Sequence, residues 1–161
     1  EIEIIRGVQH KKVVCILDEA HLLEKETLEE FRFLLNYKFD SVSPMAVVLV
    51  GQTELWENKL KLQRYAAIRQ RIDIYCTLPH LDRSETEQYI KSHMVYSGCS
   101  QEVFTEKAVD EIYKASAGIP RMINRICEKA LMYAFQQQRR LVDDYMIKFV
   151  VEHEMLTVTT K

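Results

Sequence analysis

Apolar positions along this chain fall into two regimes. Val13 to Leu17 is an unbroken apolar run that ends in two acids, Asp18 and Glu19, and Ala46 to Val50 is a second, with Pro44 before it and Gly51 after it. Short continuous runs of this kind predict parallel strands covered by helices on both faces. Between them Leu28, Phe31, Leu35 and Phe39 recur at spacings of three and four, which predicts one buried helical stripe over about residues 25–39. Strand, helix, strand in this order is a right-handed crossover unit. Residues 54–71 read as helical in two pieces. Ile72 to Leu78 reads as a third strand, ended by Pro79.

Beyond Leu81 the pattern is helical throughout. Asp82 and Glu85 are placed to cap a helix reciprocally, with Thr86, Tyr89, Ile90, His93 and Met94 on its apolar face and Gly98 at its end. Thr105 can cap a second helix that buries Val109, Ile112 and Tyr113 and stops at Gly118. Pro120 suits the first turn of a third, whose stripe is Ile123, Ile126, Cys127, Ala130, Leu131 and Ala134. A fourth runs from about Asp143 to His153. The expected layout is an α/β piece over residues 1–80, an all-helical domain over 81–154 and a flexible tail over 155–161.

Composition narrows the class without naming it. The 161 residues are 47% hydrophobic and 29% charged, ordinary for a globular protein with a real core. No apolar run is long enough to span a membrane and no secretory leader is visible, so a cytoplasmic protein is expected. The chain begins with Glu1, which suggests a piece of a longer protein. Cys15, Cys76, Cys99 and Cys127 form no C-x-x-C pair, so buried reduced thiols are expected and a metal cluster is not. Net charge is −2, and residues 1–81 and 82–161 each hold 11 basic and 12 acidic side chains, so neither half announces a nucleic-acid partner. One local exception is Lys59, Lys61, Arg64, Arg69 and Arg71, a stretch without an acid. It reads either as a solvated helix face or as a phosphate-contacting one.

Four short segments carry candidate chemistry. Asp18 and Glu19 end a buried strand at the sheet's carboxyl edge, where open α/β sheets bind ligands. There an Asp can hold Mg²⁺ through water, and the next acid can orient or deprotonate an attacking water. His21 completes Asp-Glu-Ala-His and is given a structural role at a helix start. Gln52 and Thr53 follow the second strand, either as polar groups reaching the same water or as a turn capped by Thr53. Arg69 and Arg71 precede the expected third strand, as surface ion-pair residues or as forks for phosphate. Arg121 lies in Gly118-Ile119-Pro120-Arg121, at a helix start that is itself positive, or in a plain helix–helix turn.

In this order and spacing the segments resemble the AAA+ ATPases, over about Lys12 to Glu152. The shared wording is closest to the ExeA-like group: Leu49-Val50-Gly51-Gln52, Ile68-Arg69-Gln70-Arg71-Ile72, Glu85-Thr86 with Tyr89-Ile90, and Gly118-Ile119-Pro120-Arg121 with Ile123-Asn124. That group includes secretion-associated ATPases and helper ATPases of transposition. Arg32 to Asn36 and Ser43 to Ala46 look more like the latter. The resemblance implies a partial P-loop core followed by a helical lid, with ATP and Mg²⁺ as cofactors. It implies Asp18 as the metal-holding residue, Glu19 as the residue acting on water, and Gln52, or else Thr53, as sensor 1. It implies Arg71, with Arg69 second, as a finger reaching a neighbouring subunit, and Arg121 as sensor 2 on its own subunit's nucleotide. Self-association follows, and with it DNA and a transposase, or secretion-machinery proteins, as partners. A phosphate-cradling loop needs Gly-x-x-x-x-Gly-Lys-Ser/Thr, and none of Gly7, Gly51, Gly98 and Gly118 is followed by Lys. These residues alone are therefore expected to hold ATP weakly and to be inactive by themselves.

Overall fold

The computed structural model describes residues 4–5, 8–9, 11–35 and 45–155, with the side chains of 32–35 left out. The chain divides into two compact units, Glu1–Cys76 and Thr77–Lys161.

In the first unit, β1 (Val14–Leu17) pairs in parallel with β2 (Ala46–Leu49), Val14 opposite Ala46 and Leu17 opposite Leu49. α1 (Lys25–Leu35) lies between them in sequence. Leu28 is buried and Phe31 half-buried, as the stripe requires; Phe39 and the Leu35 side chain lie outside the described residues. Residues 54–71 form one π-helical turn at Leu55–Leu60, a 3-10 turn at Gln63–Tyr65 and a four-residue helix, α2 (Ala66–Arg69). Leu55, Leu60, Tyr65 and Ile68 close over Leu28 and Ala20, with Leu49 packed at the margin.

Two expectations fail here. The strands are not covered on both faces among the described residues. Val14, Ile16 and Val48, which share a face through the register, are 56%, 65% and 42% exposed. The apolar run is the sequence of a doubly covered strand, but the elements above cover the side bearing Leu49. Ile72–Leu78 is also not a strand, since the sheet of the described residues contains β1 and β2 alone. Strand preference is realised only against a neighbour that offers a ladder and apolar cover. Without that neighbour Ile74 and Leu78 stand 86% and 87% exposed, and Tyr75 stacks on Trp56 with ring centres 4.3 Å apart.

The second unit follows its sequence closely. α3 (Arg83–Tyr96) starts in the expected capping box: Glu85 N–H donates to Asp82 Oδ1 at 2.8 Å and Asp82 N–H to Glu85 Oε2 at 2.9 Å. α4 (Glu106–Ser116) is capped by Thr105, which accepts from Ala108 N–H at 3.1 Å. α5 (Pro120–Gln136) has Pro120 in its first turn, and α6 (Asp144–His153) is capped by Asp143. Ile112, Ile123, Ile126, Val142, Ile147 and Val150 are fully buried between these helices. Each such side chain contributes about 1.5–3 kcal/mol by leaving water. Arg83 joins α3 to α4 by donating to Asp110 and Glu87. Met155, expected in a frayed tail, packs against this core at 8% exposure because α6 delivers it there; residues 156–161 lie outside the described residues.

The cysteines are not uniformly buried: Cys76 is exposed, and Cys15, Cys99 and Cys127 are half-buried. Cys127 packs against the helical core, and burial pushes its thiol up to about 12. At pH 8 Cys127 should react with a disulfide reagent roughly 10²-fold or more slower than an ordinary peptide thiol, because the thiolate is the nucleophile. Denaturant should bring it to the common rate. Fast modification of Cys127 in the folded chain would contradict the packing of α5.

Candidate functional site

The parallel register decides which polar groups meet. β1 and β2 run side by side in the same direction, so the residues after Leu17 and after Leu49 emerge at one edge of the sheet. Asp18 and Glu19 leave the first strand there, and Gln52 and Thr53 follow the second; all four are exposed. The edge is closed by Val50 N–H donating to the Leu17 carbonyl at 2.9 Å and Ala20 N–H to the Val50 carbonyl at 2.8 Å.

Glu19 turns the chain in the left-handed region, with φ 52 and ψ 33. A side chain there costs about 1–2 kcal/mol of backbone strain. Asp18 offsets part of it by accepting Glu19 N–H at Oδ1, 2.8 Å away. The turn sends the Glu19 carboxylate into solvent, 62% exposed. The residue that sequence reading set aside is also here. His21, in the 3-10 turn Ala20–Leu22, folds back over the edge. Its Nδ1 accepts Gln52 N–H at 3.4 Å, and its Nε2 lies 3.4 Å from Glu19 Oε2. The signal was its place in Asp-Glu-Ala-His, but only the paired strands bring Gln52, thirty-one residues on, to its ring.

The two arginines lie at the end of α2 and just after it. Arg69 Nη1 donates to the Leu60 and Lys61 carbonyls at 2.7 and 2.9 Å, so its guanidinium closes the end of the π-helical turn. Arg71 is exposed just beyond α2. Other cations of the acid-free basic stretch also meet groups of their own unit. Lys59 donates to the Leu23 carbonyl at 2.7 Å, Lys61 pairs with Glu57 at 2.6 Å, and Arg64 lies over the Tyr65 ring.

Arg121 belongs to the second unit, exposed on the first turn of α5. The turn before it is tightly made. Ala117 and Gly118 both have positive φ, 49 and 72, and Leu81 N–H donates to the Gly118 carbonyl at 3.0 Å. A Cβ on Gly118 would lie 1.9 Å from the Leu81 carbonyl oxygen.

A nucleotide's metal fits the first-unit donors. Among the described residues no group of three His, Cys, Asp or Glu can cage an ion. Mg²⁺ at nucleotide sites takes only one or two protein carboxylates, with water and phosphate oxygens completing its shell. Asp18 supplies such a hard oxygen donor, fixed through its second oxygen by the Glu19 amide.

Comparison with known proteins bears on the family and the fold. The family model described as AAA domain matches residues 3–58. The chain belongs to the AAA+ ATPases, in a partial core followed by a helical region. Within them it is related to the General secretion pathway protein A of Aeromonas hydrophila, 37% identical over 125 residues, which are 78% of this chain and 23% of that protein. The chain thus spans under a quarter of that relative's length. Among solved structures, the RuvB Holliday junction branch migration motor of Thermotoga maritima aligns with TM-score 0.65 at 18% identity, over 94% of this chain and 49% of that one. A second RuvB structure from the same organism aligns with TM-score 0.67 at 16% identity, over the same shares. These alignments bear on the fold.

Two substitutions at the Arg121 turn should differ in sign. Gly118→Ala meets both the positive φ and the Leu81 carbonyl, and should cost about 2–4 kcal/mol. Ala117→Gly relieves a left-handed alanine and should be neutral or stabilising by roughly 0.5 kcal/mol, after the extra unfolded-state entropy of glycine. Urea unfolding followed by far-UV circular dichroism measures both. Equal losses would show that the turn is not built as described.

Proposed function

We propose that this chain supplies the water-activating edge and the lid of an ATP-hydrolysing AAA+ module that works as assembled subunits. The observation that carries the reading is the meeting of Asp18 and Glu19 with Gln52 at one edge of two parallel strands. Asp18 would hold Mg²⁺ through water, and the ion would supply positive charge beside the phosphates. Glu19 orients the attacking water and draws off its proton, and Gln52 senses the γ-phosphate, with Thr53 as the alternative. Arg71 reaches the nucleotide of a neighbouring subunit. Arg69 is the second choice, and two carbonyls of its own unit hold its guanidinium. Arg121 contacts the nucleotide of its own subunit, helped by the positive end of α5.

For the full-length protein, the wording of Arg32–Asn36 and Ser43–Ala46 favours a cytoplasmic helper ATPase that assembles on DNA with a transposase. The 37% identity to General secretion pathway protein A favours a second reading, a secretion or pilus-assembly ATPase with secretion-machinery partners. Among the described residues no helix is long and apolar enough to cross a membrane. A non-catalytic adaptor on the same fold is the remaining alternative, and ATP binding by the full-length protein excludes it.

In the full-length protein, Glu19→Gln should retain ATP binding and lower turnover by roughly 10²-fold or more. Arg71→Ala should keep nucleotide affinity and lose about 10³-fold of assembly-stimulated hydrolysis. Mixing the two inactive variants tests the trans role. The Glu19→Gln subunit still offers Arg71 to a neighbour with an intact Glu19, so ATPase activity should partly return. A mixture as inactive as its components, from subunits that still assemble, would remove Arg71 from that role.

A further inference from the structure

The contacts of His21 go beyond a helix-start residue. Its side chain is 12% exposed, against 62% for Glu19, so the imidazole is largely enclosed while the carboxylate it meets faces solvent. The slot that receives the ring is made by β2's end. At Gly51 a Cβ would stand 3.1 Å from His21 N and 3.4 Å from His21 Nδ1, with Leu55 Cδ2 at 3.3 Å. A side chain there would press on the ring and its backbone, so Gly51 leaves the imidazole its room.

The contacts also fix a tautomer. Nδ1 faces an amide N–H, that of Gln52, and so acts as acceptor. A neutral imidazole that accepts at Nδ1 carries its proton on Nε2, and Nε2 is the atom that faces Glu19 Oε2. The result is one ordered set of contacts: Gln52 N–H donates to His21 Nδ1, and His21 Nε2 turns its hydrogen to the side of the Glu19 carboxylate, 3.4 Å away. The Gln52–His21 bond is 3.4 Å and the approach of His21 Nε2 to Glu19 Oε2 is also 3.4 Å, and contacts of this length in empty catalytic sites often tighten when substrate binds. The Glu19 carboxylate stands mostly in water, and His21 Nε2 lies beside it.

Building on the assignment of Glu19 to water activation, we propose that His21 is a positioning residue. It aims the Glu19 carboxylate and links that aim to the backbone at Gln52. A shift of the β2 tip toward or away from phosphate then moves the imidazole, and with it the group that orients water. His21 acts through Glu19 and makes no contact with the nucleotide.

Two measurements test this. In the 161-residue chain, long-range proton–nitrogen spectra of the imidazoles should show His21 protonated at Nε2 and bare at Nδ1. His21→Phe should speed exchange of the Gln52 amide by roughly 2–10-fold, the worth of one ordinary hydrogen bond. A proton on Nδ1, or an unchanged Gln52 amide, would overturn the proposal whatever the ATPase does. In the full-length protein, His21→Phe should lower kcat by about 10-fold with KM for ATP unchanged, the pattern of an interaction used in the transition state. His21→Gln keeps a donor near the Nε2 position and should recover part of kcat. On a Glu19→Gln background His21→Phe should cost almost nothing further, because the two act as a unit. Equal losses from Phe and Gln, or a full additional loss on that background, would mean that His21 only supports the fold. If Glu19→Gln itself leaves turnover unchanged, the assignment of Glu19 has failed instead, and the nitrogen spectra still decide whether the relay exists.

Discussion

The parallel pairing of β1 with β2 is the constraint on which the first unit depends. Parallel strands end on the same side, so the register from Val14 with Ala46 to Leu17 with Leu49 brings two distant turns together. One backbone bond, Ala20 N–H to the Val50 carbonyl, then ties the turn after the acids to the end of the second strand. A slip of one residue would reverse the face of every side chain on the slipped strand and separate Asp18 and Glu19 from Gln52. The strain at Glu19 and the enclosure of His21 both follow from that closure.

Backbone holding explains much of what the basic residues do. Arg69 satisfies two carbonyls that the irregular turns of residues 54–71 leave open, since a π-helical turn followed by a 3-10 turn cannot pair every carbonyl along one helix axis, and Lys59 reaches across to the Leu23 carbonyl after the Ala20–Leu22 turn. A stretch rich in cations and free of acids is thus drawn largely into its own unit. Its composition left two readings, a solvated helix face or a phosphate-contacting one, and two of its five cations, Lys59 and Arg69, hold backbone carbonyls.

The helical unit rests on different physics. Its helices are stopped and started by local devices, a capping box at Asp82, a threonine cap at Thr105 and an aspartate cap at Asp143, and these act within three residues. Gly118 is the place where local chemistry and tertiary approach coincide. It adopts a positive φ, and it lets the Leu81 backbone come close enough to bond.

The sequence alone determined the two regimes, the two strands, the four later helices with their caps, and the identity of the acids and arginines worth testing. Those features are written in neighbouring residues, as apolar period, cap spacing and motif order. Tertiary structure decided what depends on residues far apart. It made Ile72–Leu78 an extended segment, because a strand exists only with a partner beside it. It left Val14, Ile16 and Val48 open, because an apolar run cannot say whether both faces find cover. It committed Arg69 to two carbonyls and carried Met155 into the core. It also made His21 the link between Glu19 and Gln52, because a hydrogen bond across thirty-one residues exists only once two strands have paired.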